Sequence, residues 1–366
     1  MLPASTAYKA AIHRPHQVAF EATLYAGIGG DVLARRVPVF GGSVTANLTH
    51  RVTRTGSFTL GPEWWPGDDP LAPLTPYQTV VNIKAGIRFG DGTTELFDII
   101  TGRVGDLTRN DNGSVTARVD DLAADVIAFR FEEPRNSETV TILSQIQRLI
   151  AEVIPGTVLG TTDVTDQPTP KLTWDEDRGK ALDDLAQSLG GRWYYLGDGT
   201  PVVRAYPYDV GTVVQSFEDG ELGLLVSGTP SITRDGAANS ITLVVERFDG
   251  GTPFRVTARD TSPTSPTRFD GPFGKVSQII KVQTPLTLGQ ATIAARQQLN
   301  ASTALASRWS ATTVPDYSME PGDTVRLTSR GVSSVQLIDS ITYPLFEGAT
   351  MGMSTRAYVR AQATLD

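Results

Sequence analysis

A chain of 366 residues, 40% of them hydrophobic and with a mean hydropathy of -0.13, is long enough to bury a full-sized core. It contains no apolar run near the roughly 18 residues of a membrane-spanning helix. Its formal charge of -8, with no local cluster of Lys and Arg along the sequence, argues against binding nucleic acid by phosphate neutralisation. The absence of cysteine removes disulfides, thiol catalysis and thiolate metal sites, and three histidines (His13, His16, His50) leave zinc and triad chemistries short of parts.

The length predicts roughly two or three domains. The opening MLPASTAYKAAIHRPH has no apolar stretch followed by a small-residue cleavage site, so the expectation is a protein made and kept in a cytoplasm, or assembled there. Residues 1–15 read as an arm with a helical turn or two after Ser5. Val18 to Leu24 and Arg35 to Phe40 read as strands. In GSVTANLTHRVTRTGSFTL (42–60), Val44, Ala46 and Leu48 alternate with polar residues, then Gly56 is expected to break the strand before Phe58 and Leu60 resume it.

The next stretch, GPEWWPGDDPLAPLTPYQ, is too rich in Pro and Gly for helix or central strand. Its paired Trp64 and Trp65 either fold back as a lid on the end of a barrel or anchor a partner, since tryptophan is over-represented at interface hot spots. Thr79 to Phe89, Glu95 to Asp106 and Ser114 to Val119 follow as strands joined by turns at Gly90-Asp91-Gly92 and Asn110 to Gly113, a hairpin sequence that implies an antiparallel sheet or barrel.

The period changes at Ser137. Leu143, Ile146, Ile150 and Val153 mark an amphipathic helix that Pro155-Gly156 ends. A second helix follows Asp177, its expected N-cap, with Leu182, Leu185, Ala186 and Leu189 on one face and Gly190 placed to take a positive φ at its exit. Trp193-Tyr194-Tyr195, the turn Gly197-Asp198-Gly199, and Val202-Val203 then form a hairpin. Residues 132–206 are therefore bracketed as a small α+β domain. Beyond it, Leu222 to Val226, Ser231 to Arg234, Ser240 to Arg247 and Phe254 to Arg259 read as strands. A helix runs from Leu288 to about Ser302 with the small-residue face Ala291, Ala295 and Leu299, and strands return at Trp309 to Val314, Thr324 to Thr328 and Val335 to Tyr343. Pro321-Gly322 fits the centre of a type II turn. The expected fold is mainly β: two barrel-like domains, 16–131 and 207–366, flanking the 132–206 insertion, with no residue-level repeat between them.

A search for chemistry returns little. His13 and His16 supply two imidazoles where a metal needs three or four ligands, and Asp175, Glu176 and Asp177 do not continue as a calcium loop. Asp68 and Asp69 are adjacent on a Pro-rich loop, a poor frame for the two separated carboxylates of a glycosidase. No phosphate-cradling glycine loop and no G-x-S-x-G elbow occurs. The expectation is a protein that works by shape and partnership, without cofactor or metal, and not an enzyme.

Three segments, SPTSPTRFDGPFGKV (262–276), GRWYYLGDGTPVVR (191–204) and MEPGDTVRL (319–327), occur in an order that resembles the minor tail proteins of actinobacterial phages. That group is in turn similar to the tail-hub proteins of long-tailed phages, contractile baseplates and type VI secretion spikes. The resemblance implies a homotrimer in which two tube domains per chain, three times over, make a pseudo-sixfold ring at the tail tip of the virion. Such a ring would meet a tail tube protein or distal tail protein above, a central fibre, spike or other minor tail proteins below, and the tape measure protein, with DNA in transit through its channel. Three copies would carry three times -8, or -24, which suits a passage that DNA must not stick to. Because the sequence reaches Asp366 soon after its last predicted strand, no fused peptidase or lysozyme domain is expected. Glu63 to Tyr77 (Trp64, Trp65, Tyr77) and Phe269 to Lys275 (Phe269, Phe273, Lys275) are the candidate inter-chain contacts. A distal-ring protein or a receptor-binding adhesin is the alternative, and a β-rich cell-wall hydrolase using Asp68 or Asp69 a further one.

Overall fold

The structure, a computed structural model, describes residues 1–169, 171–206, 211–245, 252–282, 287–304, 307–357 and 363–365. Ser5 accepts from the Tyr8 backbone amide and caps a short helix, α1 (Thr6–Ala11). Seven strands follow: β1 (Gln17–Ala26), β2 (Val32–Pro38), β3 (Gly41–Asn47), β4 (Arg54–Leu60), β5 (Thr79–Arg88), β6 (Thr94–Arg109) and β7 (Val115–Asp121). Gly56 does not break a strand. It lies inside β4, where a Cβ would come within 2.4 Å of the Ser43 carbonyl oxygen, so glycine lets β3 and β4 close on each other; the break falls at residues 48–53 instead.

After β7 the chain forms α2 (Ala123–Ala128), β8 (Arg135–Asn136), α3 (Ile142–Ala151), β9 (Thr173–Trp174), α4 (Arg178–Ser188) and the hairpin β10 (Gly191–Tyr195) with β11 (Pro201–Ala205). α3 starts five residues later than its periodicity suggests because residues 137–141 are held extended: Leu172 donates to the Ser137 hydroxyl at 2.9 Å, and Thr141 bridges to Pro168. Asp177 accepts from the Lys180 amide at 2.9 Å as an N-cap, and Gly190 exits α4 at φ 69°. The remaining elements are β12 (Gln215–Glu218), β13 (Leu225–Ile232), β14 (Ser240–Val245), β15 (Phe254–Asp260), β16 (Ser277–Val282), α5 (Leu288–Ala304), β17 (Ser307–Thr313), β18 (Thr324–Ser329), β19 (Val332–Pro344), β20 (Met351–Ala357) and β21 (Ala363–Leu365). The end of the strand expected at Ser240 to Arg247 lies outside the described residues. The strand expected at Leu222 begins only at Leu225, after a turn in which Leu222 takes φ 61°.

Among the described residues strands hold 42% and helices 15%, so the protein is mainly β. The expectation of two barrels needs correction, since among the described residues no sheet is closed. Strands from both sides of the α+β insertion belong to one thirteen-stranded sheet, ordered β13-β17-β20-β19-β3-β4-β7-β6-β5-β1-β2, with β18 on β19 and β12 parallel to β18. The seam is β19. Its first half pairs with β18, and its second half, Ser340 to Pro344, pairs antiparallel with β3. Alternation along a strand reports which face is buried; it carries no information about which distant strand supplies the neighbour.

One apolar core follows the joined sheet, with Val44, Phe58, Ile83 and Val104 from one side of the chain and Phe217, Tyr317, Ile341 and Met353 from the other. A second core fills the α+β module, where Ile146, Leu149, Leu182 and Leu185 meet Trp193, Tyr195 and Val203. A third lies between α5 and a four-stranded sheet ordered β16-β14-β15-β21, with Ala291, Ala295 and Leu299 against Ile241, Leu243 and Val256.

The α+β module is centred on a buried arginine. Arg178, 2% exposed, donates to the carbonyls of Phe129 and Leu149 at 2.8 Å each, pairs with Glu152 at 2.7 Å, and lies 4.5 Å from the Phe131 ring centroid. A lysine keeps the charge but not the planar fork that reaches two carbonyls and a carboxylate together. Arg178→Lys is expected to cost about 1–3 kcal/mol, the penalty of leaving buried acceptors unmet, measurable by urea denaturation.

Candidate functional site

The region that joins the two strand-rich parts of the chain is polar and deeply buried. Arg54, on β4, is 1% exposed; its guanidinium ion-pairs with Glu320 in the turn before β18 and donates to the Ile99 carbonyl at 2.8 Å. Its backbone amide donates at 2.7 Å to Asp121, whose other oxygen accepts from Ala123 at 3.0 Å. Burial pushes the Asp121 carboxyl up to about 7 against the opposing pull of those amides and of Arg54. Burial also lifts the Glu320 carboxyl, while Arg54 pulls it down.

The N-terminal arm adds a second tie. Leu2 donates to the Ser318 carbonyl at 2.8 Å, the Tyr8 hydroxyl accepts from the Tyr317 amide at 2.9 Å, and the Tyr8 ring meets Phe97 edge-on at 4.9 Å. Tyr317 and Tyr343 extend this contact by donating to the carbonyls of Pro344 and Met319. Sequence reasoning missed this junction, although a signal existed. Arg54 stands in phase with the buried Phe58 and Leu60 of its strand, and Asp121 in phase with Val115, Ala117 and Val119. A charge in an apolar phase marks a buried, partnered group.

The six candidate contact residues fall on two separate loops. Residues 62–78 form an ordered excursion from the large sheet, pinned by Leu74, which is buried, by Gln78 Nε2 donating to the Leu71 and Ala72 carbonyls, and by Thr79 donating to the Pro73 carbonyl at 3.0 Å. Trp64 ends a single 3-10 turn and folds back, half-buried, against the main core. Trp65, 36% exposed, and Tyr77, 78% exposed, face outward together with Leu71. Trp64 thus folds back on its own chain, while Trp65 is left open to solvent.

The other loop, residues 261–276, is stitched from beneath. Asp260 is buried and accepts from the hydroxyls of Ser265 and Thr267, while Asn239 donates to the carbonyls of Thr267 and Gly274 at 2.9 and 2.7 Å. Above that frame Phe269 lies between Arg259 and Lys275, 5.1 and 4.9 Å from its ring centroid, Phe273 lies 5.3 Å from Arg234, and Lys275 pairs with Asp270 at 3.1 Å. These three candidates thus already hold partners within their own chain.

A cleft of about 400 Å³ separates α4 from α5 and β16, lined by Arg51, Asp183, Arg192, Tyr206, Ile280 and Gln297. Its polar groups are occupied: Arg51 pairs with Asp183 at 2.7 Å, Asp183 also takes the Trp193 indole N–H at 2.8 Å, and Gln297 donates to the Gly190 carbonyl at 2.7 Å. His13 and His16 each face a backbone carbonyl, of Leu222 and Arg14, and do not converge on a common point with a carboxylate. The Asp69 carboxylate accepts from the Leu71 amide at 2.9 Å and so serves its own turn.

No protein-family model matches the chain, and no curated protein matches it. Solved structures do. The chain is similar to the tail protein from Neisseria meningitidis MC58, with TM-score 0.65 and 15% identity over 92% of this chain and 96% of that one. It is similar to the 43 kDa tail protein of prophage MuSo2 from Shewanella oneidensis, with TM-score 0.62 and 15% identity over 92% and 98%. It is also similar, with TM-score 0.52 and 9% identity over 94% and 77%, to the E. coli c3393 protein, a component of the type VI secretion system described as resembling the T4 tail proteins gp27 and gp5. The fold is therefore one shared with phage tail proteins and with a type VI secretion component.

Proposed function

We propose that this chain is a structural protein of a phage tail tip and forms its homotrimeric hub, a non-enzymatic adapter between the sixfold tail tube or distal tail ring and a threefold central fibre or spike. The observation that carries the reading is the fold itself, similar to tail proteins over more than nine-tenths of the chain, with the strand-rich parts on either side of the insertion welded into one sheet. Each chain would then offer two rigidly linked wall segments, residues 16–131 and 207–366, and three chains six segments around a channel through which DNA passes. The net charge of -8 per chain favours a wall that does not retain DNA. The partners are the distal tail or tube protein above, fibre or other minor tail proteins below and the tape measure protein; the site of action is the virion tail tip, after assembly in the host cytoplasm.

The mass of the purified protein in solution, combined with imaging of the tail tip, tests this. A trimer is expected; a hexamer would assign the chain to the distal ring instead, and a monomer that binds surface sugars through Trp65 and Tyr77 would make it an adhesin. Within the trimer, Trp65 and Tyr77 on one loop and Phe269, Phe273 and Lys275 on the other are the proposed inter-chain contacts. Trp65→Ala with Tyr77→Ala should weaken assembly by about 2 kcal/mol or more while leaving the thermal unfolding of the single chain unchanged. Normal incorporation of that double variant into tails would remove the loop from the interface.

A further inference from the structure

The four-stranded sheet beside α5 has one covered face and one open face. Ile241, Leu243, Val245, Val256 and Ala258 turn toward α5 and are buried. The alternate residues therefore lie on the other face, and the register sets them side by side: Val244 is opposite Arg255 on one neighbour and Lys281 on the other, and Thr242 is opposite Thr257 and Ile279. Arg255 and Lys281 are exposed, Ile279 is 63% exposed, and β16 is the outer strand of its sheet. Among the described residues neither Arg255 nor Lys281 has a carboxylate partner. This is a basic surface with an apolar centre on a chain whose total charge is negative.

The negative charge is unevenly spread. Residues 122–206 hold 13 Asp and Glu against 8 Lys and Arg. At one end of that module Phe131 donates to the Glu176 carbonyl at 3.0 Å and brings two loops together, so that Glu132, Glu133, Asp175 and Glu176 project beside Phe129. Phe129 is 47% exposed, and its ring is backed by Arg178 at 4.9 Å. This tip has the converse make-up of the basic face: an anchored apolar residue beside four carboxylates, of which Glu176 is paired with Arg130 at 3.2 Å while Glu132, Glu133 and Asp175 have no cation partner among the described residues.

We propose that neighbouring copies of the chain meet head to tail, with the acidic tip around Phe129 of one seated on the Arg255–Ile279–Lys281 face of the next. The inference rests on the trimeric reading and adds a further contact to the two loops proposed above. Each copy carries one tip and one face, so the contact repeats identically around a ring, the heterologous geometry that closes when the rotation allows. A second copy fits better than nucleic acid. A phosphate backbone would meet only two cations with Val244 between them, would leave Ile279 and Val244 uncovered, and would approach a chain that repels polyanions overall.

The test uses charge reversal in the full chain, followed by sedimentation. Glu132→Lys with Glu133→Lys, and separately Arg255→Glu with Lys281→Glu, should each weaken self-association about tenfold or more with unchanged melting temperature. Mixing the two variant chains should restore association, because reversed tip on reversed face and native tip on native face both pair opposite charges; the chains should then alternate, and a ring of three would keep one like-charge junction. Because the sequence contains no cysteine, mixed Phe129→Cys and Ile279→Cys chains should also yield a disulfide-linked pair that neither forms alone. A wild-type trimer whose assembly is untouched by either reversal would overturn this contact and leave the hub reading in place. A wild-type chain that stays monomeric at every concentration would overturn both. Loss of DNA retention in a mobility-shift assay on Arg255→Glu with Lys281→Glu, with assembly unaffected, would overturn the contact in favour of a nucleic-acid surface.

Discussion

Arg54→Ala is expected to lower the stability of the protein by about 3–5 kcal/mol, because it removes one member of a buried ion pair and leaves the other uncompensated. The Glu320 carboxylate, 12% exposed, loses its counter-charge and the buried Ile99 carbonyl its donor. The effect is not local. Arg54 stands on β4 and Glu320 in the turn before β18, so the pair spans the seam between the parts of the sheet that precede and follow the α+β insertion. Replacing both partners by apolar residues, Arg54→Met with Glu320→Leu, is expected to cost far less, since no charge is then stranded. Chemical denaturation of the two variants beside the parent separates the outcomes. Equal losses in both would mean that shape, and not charge, holds the seam.

Stability should fall as pH rises from about 4 to 7, and Asp121 is the main reason. Its carboxyl, at 3.8 when free, is raised by burial to about 7, so across that interval the folded chain keeps a proton that the unfolded chain has released. The stabilisation is complete below the unfolded value and gone above the folded one. A difference of roughly three units corresponds to about 4 kcal/mol at most. Asp183, Asp316, Glu320 and Asp339 are shifted in the same direction by burial and add to the slope. Asp121→Asn should therefore flatten the profile without abolishing it, as read from urea midpoints between pH 4.5 and 8. A profile of unchanged steepness would show that Asp121 is ionised in the native state, held by the Arg54 and Ala123 amides.

Much of the element order is legible in the sequence because the signals are local. Ser5 and Asp177 cap helices with their own side chains, Gly190 and Gly322 take positive φ where turns require it, and Ala291, Ala295 and Leu299 mark the buried stripe of α5. Elements without such punctuation escaped. α2 is only six residues long, and β12 and β16 have no clear alternation of buried and exposed positions. The pairing of β3 with β19 is invisible for another reason, since it depends on two segments whose individual patterns would suit many neighbours. Of the candidate contact residues, the sequence pointed to the aromatic side chains. It could not say that Trp64 turns inward while Trp65 and Tyr77 turn outward, or that cations of the same chain already flank Phe269 and Phe273. The basic face of β14–β16 is likewise a product of register: Arg255 and Lys281 are 26 positions apart in sequence and become neighbours only across Val244.

The long strand β19 has a kinetic consequence. Thr45 and Thr342, whose hydroxyls meet across the β3–β19 seam at 3.0 Å, are separated by 297 positions. A ribosome must add 297 residues after Thr45 before that closure is possible, and loop-closure entropy makes such a distant pairing slow. Until then the edges of β3 and β19 stay bare, which exposes newly made chains to mispairing with one another. Maturation of this protein should therefore be governed by the time taken to find one remote strand, and variants that loosen the seam should reduce the yield of soluble chains before they reduce the melting temperature of those that finish.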